Sequence, residues 1–400
     1  MKSHLILCVM LAAMLPLGAS AQDKPASAPA DKTAATQWTL PQADEIYTLL
    51  PAGDMIYYLC ADKTQKQQTP GGPPVRKRYA TYMAFDTKAG SVSNILTTIP
   101  GRFDIDKTAV FAFRVSPDGK HAAMDVHTAT GSSVDGLYMV DLQTRKAKKI
   151  LPAGDYQQML WFGKELLVPN KRPSKAPPPA PPPAANPGGP VTIIAQTPRF
   201  DLLQPRRYDT KGTLLGPLLV YGFPFATSQK GDAYVMLANP KALHKPLTDQ
   251  DDMSLRRVLL MGVSGKPISE LPVAADRGWS LIYSPNLKFG ATQACNLTDA
   301  KPVAGMKFMP LNAAVFSLDG KTVINLPEPT KPMSPLWVSD TGQLLTKDPM
   351  SNELTFWDDK GQKAWSLPGV AVVAVYKDKV YYIEAASPQA IKVKPLEDSN

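Results

Sequence analysis

The chain has 400 residues, 44 Lys and Arg against 35 Asp and Glu, a net charge of +9 and 3 cysteines. So few thiols exclude a disulfide-stapled miniature fold, and the length suffices for one large repeat domain or two ordinary ones. The basic balance favours acidic partners such as anionic glycans, lipid headgroups or acidic proteins.

The N-terminus reads as an address. Met1-Lys2-Ser3-His4 is a charged start, Leu5 to Leu17 is apolar, and Ala19-Ser20-Ala21 is a small-residue cleavage site. This is the pattern of a secretory signal peptide over residues 1–21, with the mature chain starting near Gln22. The apolar run is too short to span a bilayer. Cys8 lies well before the cleavage site, so a lipid anchor is not expected. No other stretch reads as transmembrane. The protein is expected to be exported, to the periplasm or beyond, which argues against nucleic acid as a partner. Residues 22–36 are Ala, Pro, Ser, Asp and Lys without apolar pattern, a flexible leader.

From residue 37 the chain repeats itself with a period of about fifty residues. The recurring mark is a short strand ending in an aliphatic residue and proline, or a close variant. It appears at Trp38-Thr39-Leu40-Pro41, Thr97-Thr98-Ile99-Pro100, Lys149-Ile150-Leu151-Pro152 and Leu214-Leu215-Gly216-Pro217. It returns at Ser269-Glu270-Leu271-Pro272, Ile324-Asn325-Leu326-Pro327 and Trp365-Ser366-Leu367-Pro368. Proline cannot donate to a sheet ladder and so suits a strand end. Each mark except the first follows a strand and a tight turn, such as Tyr82 to Asp86 with Thr87 to Gly90, or Leu354 to Trp357 with Asp358 to Gly361. Each mark, after its own connection, is followed by an apolar hairpin, such as Val110 to Val115 turning at Ser116-Pro117-Asp118-Gly119-Lys120 into Ala122 to Val126.

Two hairpins per repeat make a four-stranded antiparallel blade, strands a to d. The last repeat has strands a, b and one more near Ile391 to Leu396, and lacks d. Gln37 to Leu40 is a d strand with no blade before it. The two complete each other. The expected fold is therefore all-β: a seven-bladed β-propeller over residues 37–396, closed by the N-terminal strand, with a short tail at 397–400. Two β-sandwiches or an open solenoid would give no reason for an orphan strand to match a missing one.

Ser116-Pro117-Asp118-Gly119-Lys120 resembles the blade motif of TolB-type, WD40-like periplasmic propellers. Ser284-Pro285-Asn286-Leu287-Lys288 and Ser339-Asp340-Thr341-Gly342 look like diverged copies. The motif is a turn device, with Pro and Asp setting the bend and Gly taking the positive backbone angle. The resemblance implies a fold and no activity. The chain departs from TolB in having seven blades rather than six and no N-terminal α/β domain, so no partner is carried over.

In such a fold the d–a and b–c connections share one face, and the a–b and c–d turns the other. The b–c connections are long: Gln65 to Arg78, Lys171 to Pro190, Asn239 to Ser254 and Asn296 to Pro310. They carry Arg76, Lys77, Arg78, Lys171, Arg172, Lys175, Lys241, Lys245, Lys301 and Lys307, a candidate basic binding face softened by Asp249, Asp251 and Asp252. Ala176 to Pro183 adds a polyproline arm within the 171–190 insert.

Catalytic patterns are scarce. Gly262-Val263-Ser264-Gly265 fails as a nucleophile elbow, and there is no phosphate-binding glycine loop. His121, Asp125 and His127 share one sheet face by parity, but only the last two are near enough for one metal. Cys60 and Cys295 fall in the first and fifth blades, too far apart to bridge, and are expected as buried thiols. Trp161, Trp279, Trp337, Tyr283 and Tyr376 are expected to wedge between blades. The reading is a non-catalytic exported propeller, without cofactor, that binds a protein or an anionic polymer through its long-loop face. The alternative is a carboxylate- or metal-dependent lyase or glycosidase at the mouth of the central channel.

Overall fold

A computed structural model describes residues 37–40, 46–61, 65–67, 75–77, 80–105, 107–128, 130–154, 156, 158–173, 200–246, 257–271, 281–294, 312–319, 321–326 and 333–396. The first strand, β1 (Gln37–Thr39), precedes blade 1, which is built from β2 (Ile46–Ala52), β3 (Met55–Ala61), β6 (Ala80–Asp86) and β7 (Ser91–Asn94), with β4 (Gln65–Gln67) and β5 (Val75–Lys77) paired between them. After a helical turn, α1 (Ile95–Thr98), blade 2 is β8 (Thr108–Val115), β9 (His121–Thr128), β10 (Gly136–Asp141) and β11 (Lys146–Pro152). Blade 3 is β12 (Leu160–Phe162), β13 (Glu165–Val168), β16 (Arg206–Tyr208) and β17 (Leu214–Pro217), with a second ribbon, β14 (Lys171–Pro173) and β15 (Phe200–Leu202), in its b–c connection. Blade 4 is β18 (Phe223–Thr227), β19 (Ala233–Ala238), β20 (Arg257–Gly262) and β21 (Pro267–Glu270), and blade 5 is β22 (Ile282–Tyr283), β23 (Phe289–Ala294), β24 (Asn312–Ser317) and β25 (Val323–Asn325). Blade 6 is β26 (Ser334–Val338), β27 (Leu344–Lys347), β28 (Leu354–Trp357) and β29 (Lys363–Leu367). Blade 7 is β30 (Val370–Tyr376), β31 (Lys379–Glu384), β32 (Ala390–Pro395) and, from the other end of the chain, β1.

The blades are held by the two-sided patterning of their strands. Successive side chains of a strand point to opposite sheet faces, and here both faces are apolar. Tyr57 packs on blade 2, while Tyr58 packs on blade 7. Leu166 faces blade 2 and Leu167 faces blade 4. Tyr234 and Met236 face blade 3, while Val235 faces blade 5. Leu344 faces blade 5 and Leu345 faces blade 7. The described residues thus form a separate apolar cluster at each of the seven blade junctions. The junction of blades 2 and 3 contains buried Trp161, as expected for a wedge.

The ends of the chain meet as the sequence predicts. Gln37, Trp38 and Thr39 pair antiparallel with Lys392, Ile391 and Ala390. The Leu40 N–H donates to the Gln389 carbonyl at 2.6 Å, and its fully buried side chain joins Tyr58 and Ile391. Trp38 meets Phe85 edge-on, with ring centroids 6.1 Å apart.

Two local expectations are corrected. Thr97 to Pro100 is no strand end: β7 stops at Asn94, whose side chain accepts from the Leu96 N–H at 2.9 Å and caps α1. Ile95, Leu96 and Ile99 are then buried in the junction of blades 1 and 2, which a helical turn achieves and an extended end would not. The connections from Gln65 and Lys171 are not plain loops either, since each starts as a two-stranded ribbon. Among the described residues no helix is long and apolar enough to cross a membrane.

Leu40→Ala is expected to lower stability by about 2–5 kcal/mol, the ordinary cost of emptying a buried leucine site. Urea unfolding of the mature chain measures it, and a loss below about 0.5 kcal/mol would mean that the closing strand carries little of the fold.

Candidate functional site

The first strands of neighbouring blades touch each other: β30 meets β2, β8 meets β12, β12 meets β18, and β22 meets β26. Strand a is therefore innermost, and the two ends of the channel it lines are unlike.

At the end formed by the a–b turns, the chain is compact and internally satisfied. Buried Ser116, Ser228, Ser284 and Ser339 each end a first strand and accept backbone N–H groups across their turn, from His121, Asp232, Lys288 and Gln343 at 2.9–3.0 Å. In the Ser116 turn, the hydroxyl donates to Asp118 at 2.6 Å, and Gly119 takes a φ of +71°. The sequence points to three of these serines. The fourth, Ser228, was legible from Asp232 four residues on, which accepts its hydroxyl proton.

These turns also bond to one another. The Gly53 N–H donates to the Tyr376 hydroxyl at 3.2 Å, the Gln229 N–H to the Pro285 carbonyl at 2.7 Å, and the Asn286 side-chain amide to Asp340 at 2.6 Å. Gly163 and Gly231, at φ of +57° and +74°, are pressed together so that a Cβ on the first would meet the Cα of the second at 3.1 Å. Deeper in, the Trp161 indole donates to the Arg114 carbonyl at 2.8 Å, and the Thr227 hydroxyl to the Trp161 carbonyl. A cleft of about 470 Å³ opens on this end between blades 3 and 4. Glu165 and Arg207 occupy it as a two-pronged ion pair at 2.7 and 2.9 Å, and that pairing raises the pKa of the guanidinium.

The opposite end carries the elaborated connections. The Lys171–Leu202 and Arg172–Asp201 pairs place two of the candidate basic residues on the stem of the β14–β15 ribbon, and Arg76 and Lys77 lie on β5 of the other ribbon. Lys241 and Lys245 are exposed on the turn that follows β19, anchored by the Tyr221 N–H donating to the Leu243 carbonyl at 2.9 Å. Arg78, Lys175, Lys301 and Lys307 lie outside the described residues, as do Trp279, Cys295 and the polyproline arm. Arg102, Lys107 and Arg206 are exposed on the same side and extend the set. They sit beside strand starts rather than in long b–c connections, which is why loop length alone missed them. A recess of about 370 Å³ at the root of the β14–β15 ribbon is lined by Asn170, Leu203, Arg206, Tyr221 and Pro246.

Of the histidine trio, two residues meet. His127 Nε2 lies 2.9 Å from Asp125 Oδ1, and Phe111 stacks on the imidazole at 4.4 Å. Asp125 is only 1% exposed, and its second oxygen has no partner among the described residues. His121 lies instead at the Ser116 turn, 4.0 Å from Asp118. No cluster of three or more His, Cys, Asp or Glu able to hold a metal is present among the described residues. Cys60 is buried, and its thiol donates to the Thr81 carbonyl at 3.7 Å.

Fold and faces together define a seven-bladed β-propeller. Solved structures that it resembles include the β-propeller domain of the Trilobed protease from Pyrococcus furiosus, 15% identical over 90% of this chain and 97% of that one, with a TM-score of 0.47. The acylaminoacyl peptidase of Pyrococcus horikoshii is 13% identical over 89% of this chain and 52% of its own, with a TM-score of 0.50, so this chain spans about half of that enzyme's length. TolB from Acinetobacter baumannii is 14% identical over 72% and 59%, with a TM-score of 0.37. No protein-family profile matches the sequence, and no curated protein matches it.

Turn carboxylates on the compact end are held below the ordinary carboxylate range by hydrogen bonds from their own turns. The Ser317 hydroxyl and the Lys321 N–H hold Asp319 down to about 2, from an ordinary 3.8. A depressed carboxyl stabilises the fold fully above its unfolded value, and that contribution is lost as the pH falls towards 2. Carboxyl-carbon NMR titration is expected to place Asp319 near 2, and Ser317→Ala is expected to move it up towards the ordinary value. An unchanged titration in the variant contradicts the hydrogen-bond origin.

Proposed function

We propose that the protein is an exported, non-catalytic propeller that binds a protein or an anionic polymer on the face of its long connections. Residues 1–21 are its signal peptide, 22–36 a leader, 37–396 the propeller and 397–400 a tail, and the mature chain works in the periplasm or outside the cell. The contact residues are Arg76, Lys77, Arg78, Lys171, Arg172, Lys175, Lys241, Lys245, Lys301 and Lys307, together with Arg102, Lys107 and Arg206. The proline-rich 171–190 insert, whose composition is that of a polyproline segment, belongs to the same connection as Lys171, Arg172 and Lys175.

The observation that carries this reading is the inequality of the two ends. One end spends its polar groups on bonds between its own turns. The other bears both ribbons and a run of exposed cations. Connections laid over a rigid scaffold are where binding residues concentrate, and a face with an excess of cations draws in partners of opposite charge.

A second reading, an enzyme at the channel mouth, rests on the Asp125–His127 pair. A buried carboxylate holding an imidazole is an arrangement that acid–base chemistry uses. Loss of turnover in Asp125→Asn, in a screen of glycan substrates with and without added divalent metal, would favour it.

The test of the first reading is retention of the mature protein on immobilised polyglutamate across a salt series. Lys241→Glu with Lys245→Glu is expected to weaken binding about tenfold at low salt and to flatten the salt dependence. Lys164→Glu with Lys230→Glu, at the opposite end, is expected to change it little. Equal effects from the two pairs, or no retention of the unaltered protein, would refute the assignment of the face.

A further inference from the structure

The innermost strands share an irregularity that packing does not require. Among the described residues, five of the seven are interrupted by a β-bulge, one extra residue at which the register with strand b shifts. The extra residues are Tyr47 in β2, Phe111 in β8, Phe225 in β18, Leu336 in β26 and Ala371 in β30. A bulge bends its strand and re-aims one side chain. In four of the five strands that side chain is apolar, and in β2 it is the phenol ring of Tyr47. Tyr47, Phe111 and Leu336 are 40%, 39% and 38% exposed, and Ala371 is exposed as well.

Both faces of each blade are covered by its neighbours, so solvent reaches a first strand only from the channel or its mouths. In blades 7, 1 and 2, which are consecutive, the bulge lies in the half of the strand remote from the a–b turn, towards the long-connection face. In blades 4 and 6 it lies closer to the a–b turn, further into the channel. Ile105, 44% exposed, stands just before β8 and continues the apolar set outward. Single exposed apolar residues need no explanation, but recurrence at bulges of adjacent inner strands does.

We infer that this apolar arc receives an aromatic or aliphatic side chain from an acidic peptide segment of a protein partner. The inference rests on the proposed function of the same face and decides between its two partner classes. Exposed Arg102 and Lys107 stand in the connection that leads into β8, and the Lys347 amine donates to the Ala371 carbonyl at 2.7 Å, so the positive charge beside the arc matches a segment rich in Asp and Glu. An anionic polysaccharide would satisfy those cations equally well, but it carries no apolar side chain to bury beside Phe111 and Leu336. An acidic peptide with an apolar residue at its centre satisfies both, with an apolar anchor inside a polar rim. Phe111 is braced for that role by its stack on His127, which Asp125 holds in turn.

The experiment uses two fluorescent peptides of about twelve residues, both rich in Glu. One carries two central Phe residues and the other has Ser in their place. Fluorescence anisotropy with the mature protein is expected to show the Phe peptide binding at least about tenfold tighter, the size of one buried aromatic anchor. Tyr47→Ser with Phe111→Ser is expected to bring the Phe peptide to the level of the Ser peptide, and Leu336→Ser alone to lose part of the difference. Retained polyglutamate binding and an unchanged melting transition show that these variants are folded. If the two peptides bind equally while polyglutamate still binds, the basic face stands, the apolar arc is not a contact, and an anionic polymer becomes the partner class. If neither peptide nor polyglutamate binds, the inference and the proposed function fall together.

Discussion

Every blade of this protein is apolar on both faces, and that single property dictates the rest of the architecture. Tyr57 and Tyr58, Leu166 and Leu167, or Leu344 and Leu345 are neighbours in sequence but belong to different cores. A sheet patterned in this way cannot terminate, because its last face would meet water. Closure is therefore a requirement, met by bringing Gln37 to Leu40 back onto the seventh blade. Pairing of the two chain ends also removes a sheet edge that would otherwise recruit other chains.

Closure leaves two surfaces free of packing duty, and they have diverged. The a–b turns converge on the channel axis and have bonded to each other, through Tyr376, Asp340 and the Gly163–Gly231 contact. In four of them a buried serine folds the turn back on its own strand. Connections at the other end start and finish on strands already fixed by the junction cores, so they can lengthen at small cost in loop entropy. The ribbons β4–β5 and β14–β15 extend the ladder outward from such fixed ends.

Most of the blade pattern was legible because its signals are local. A proline after an aliphatic pair, a Ser-Pro-Asp-Gly turn and an orphan strand matched to an incomplete repeat each rest on a few adjacent residues. The helical turn at Ile95 to Thr98 escaped that logic, since Thr97-Thr98-Ile99-Pro100 has a β-branched strand composition. It is Asn94 as a cap and the burial of Ile95 and Leu96 that override it. The bulges were invisible for a related reason: an extra residue is defined only by its partner strand, and Tyr47 or Phe111 alternates acceptably on its own strand. Candidate cations were chosen by loop length, which found Lys241 and Lys245 and passed over Arg102, Lys107 and Arg206 beside strand starts. The Asp125–His127 pair followed from parity alone, whereas its stack on Phe111 needed the bulge.

The division of the molecule into a closed end and a binding end is tested most directly by mapping amide hydrogen exchange in the mature protein with and without bound polyglutamate. Slowed exchange is expected at residues 101–107 and 239–246 and along β14 and β15, with the turns at 116–120, 163–165 and 229–231 unchanged. Protection concentrated on those turns instead would place the binding face at the opposite end and contradict the division.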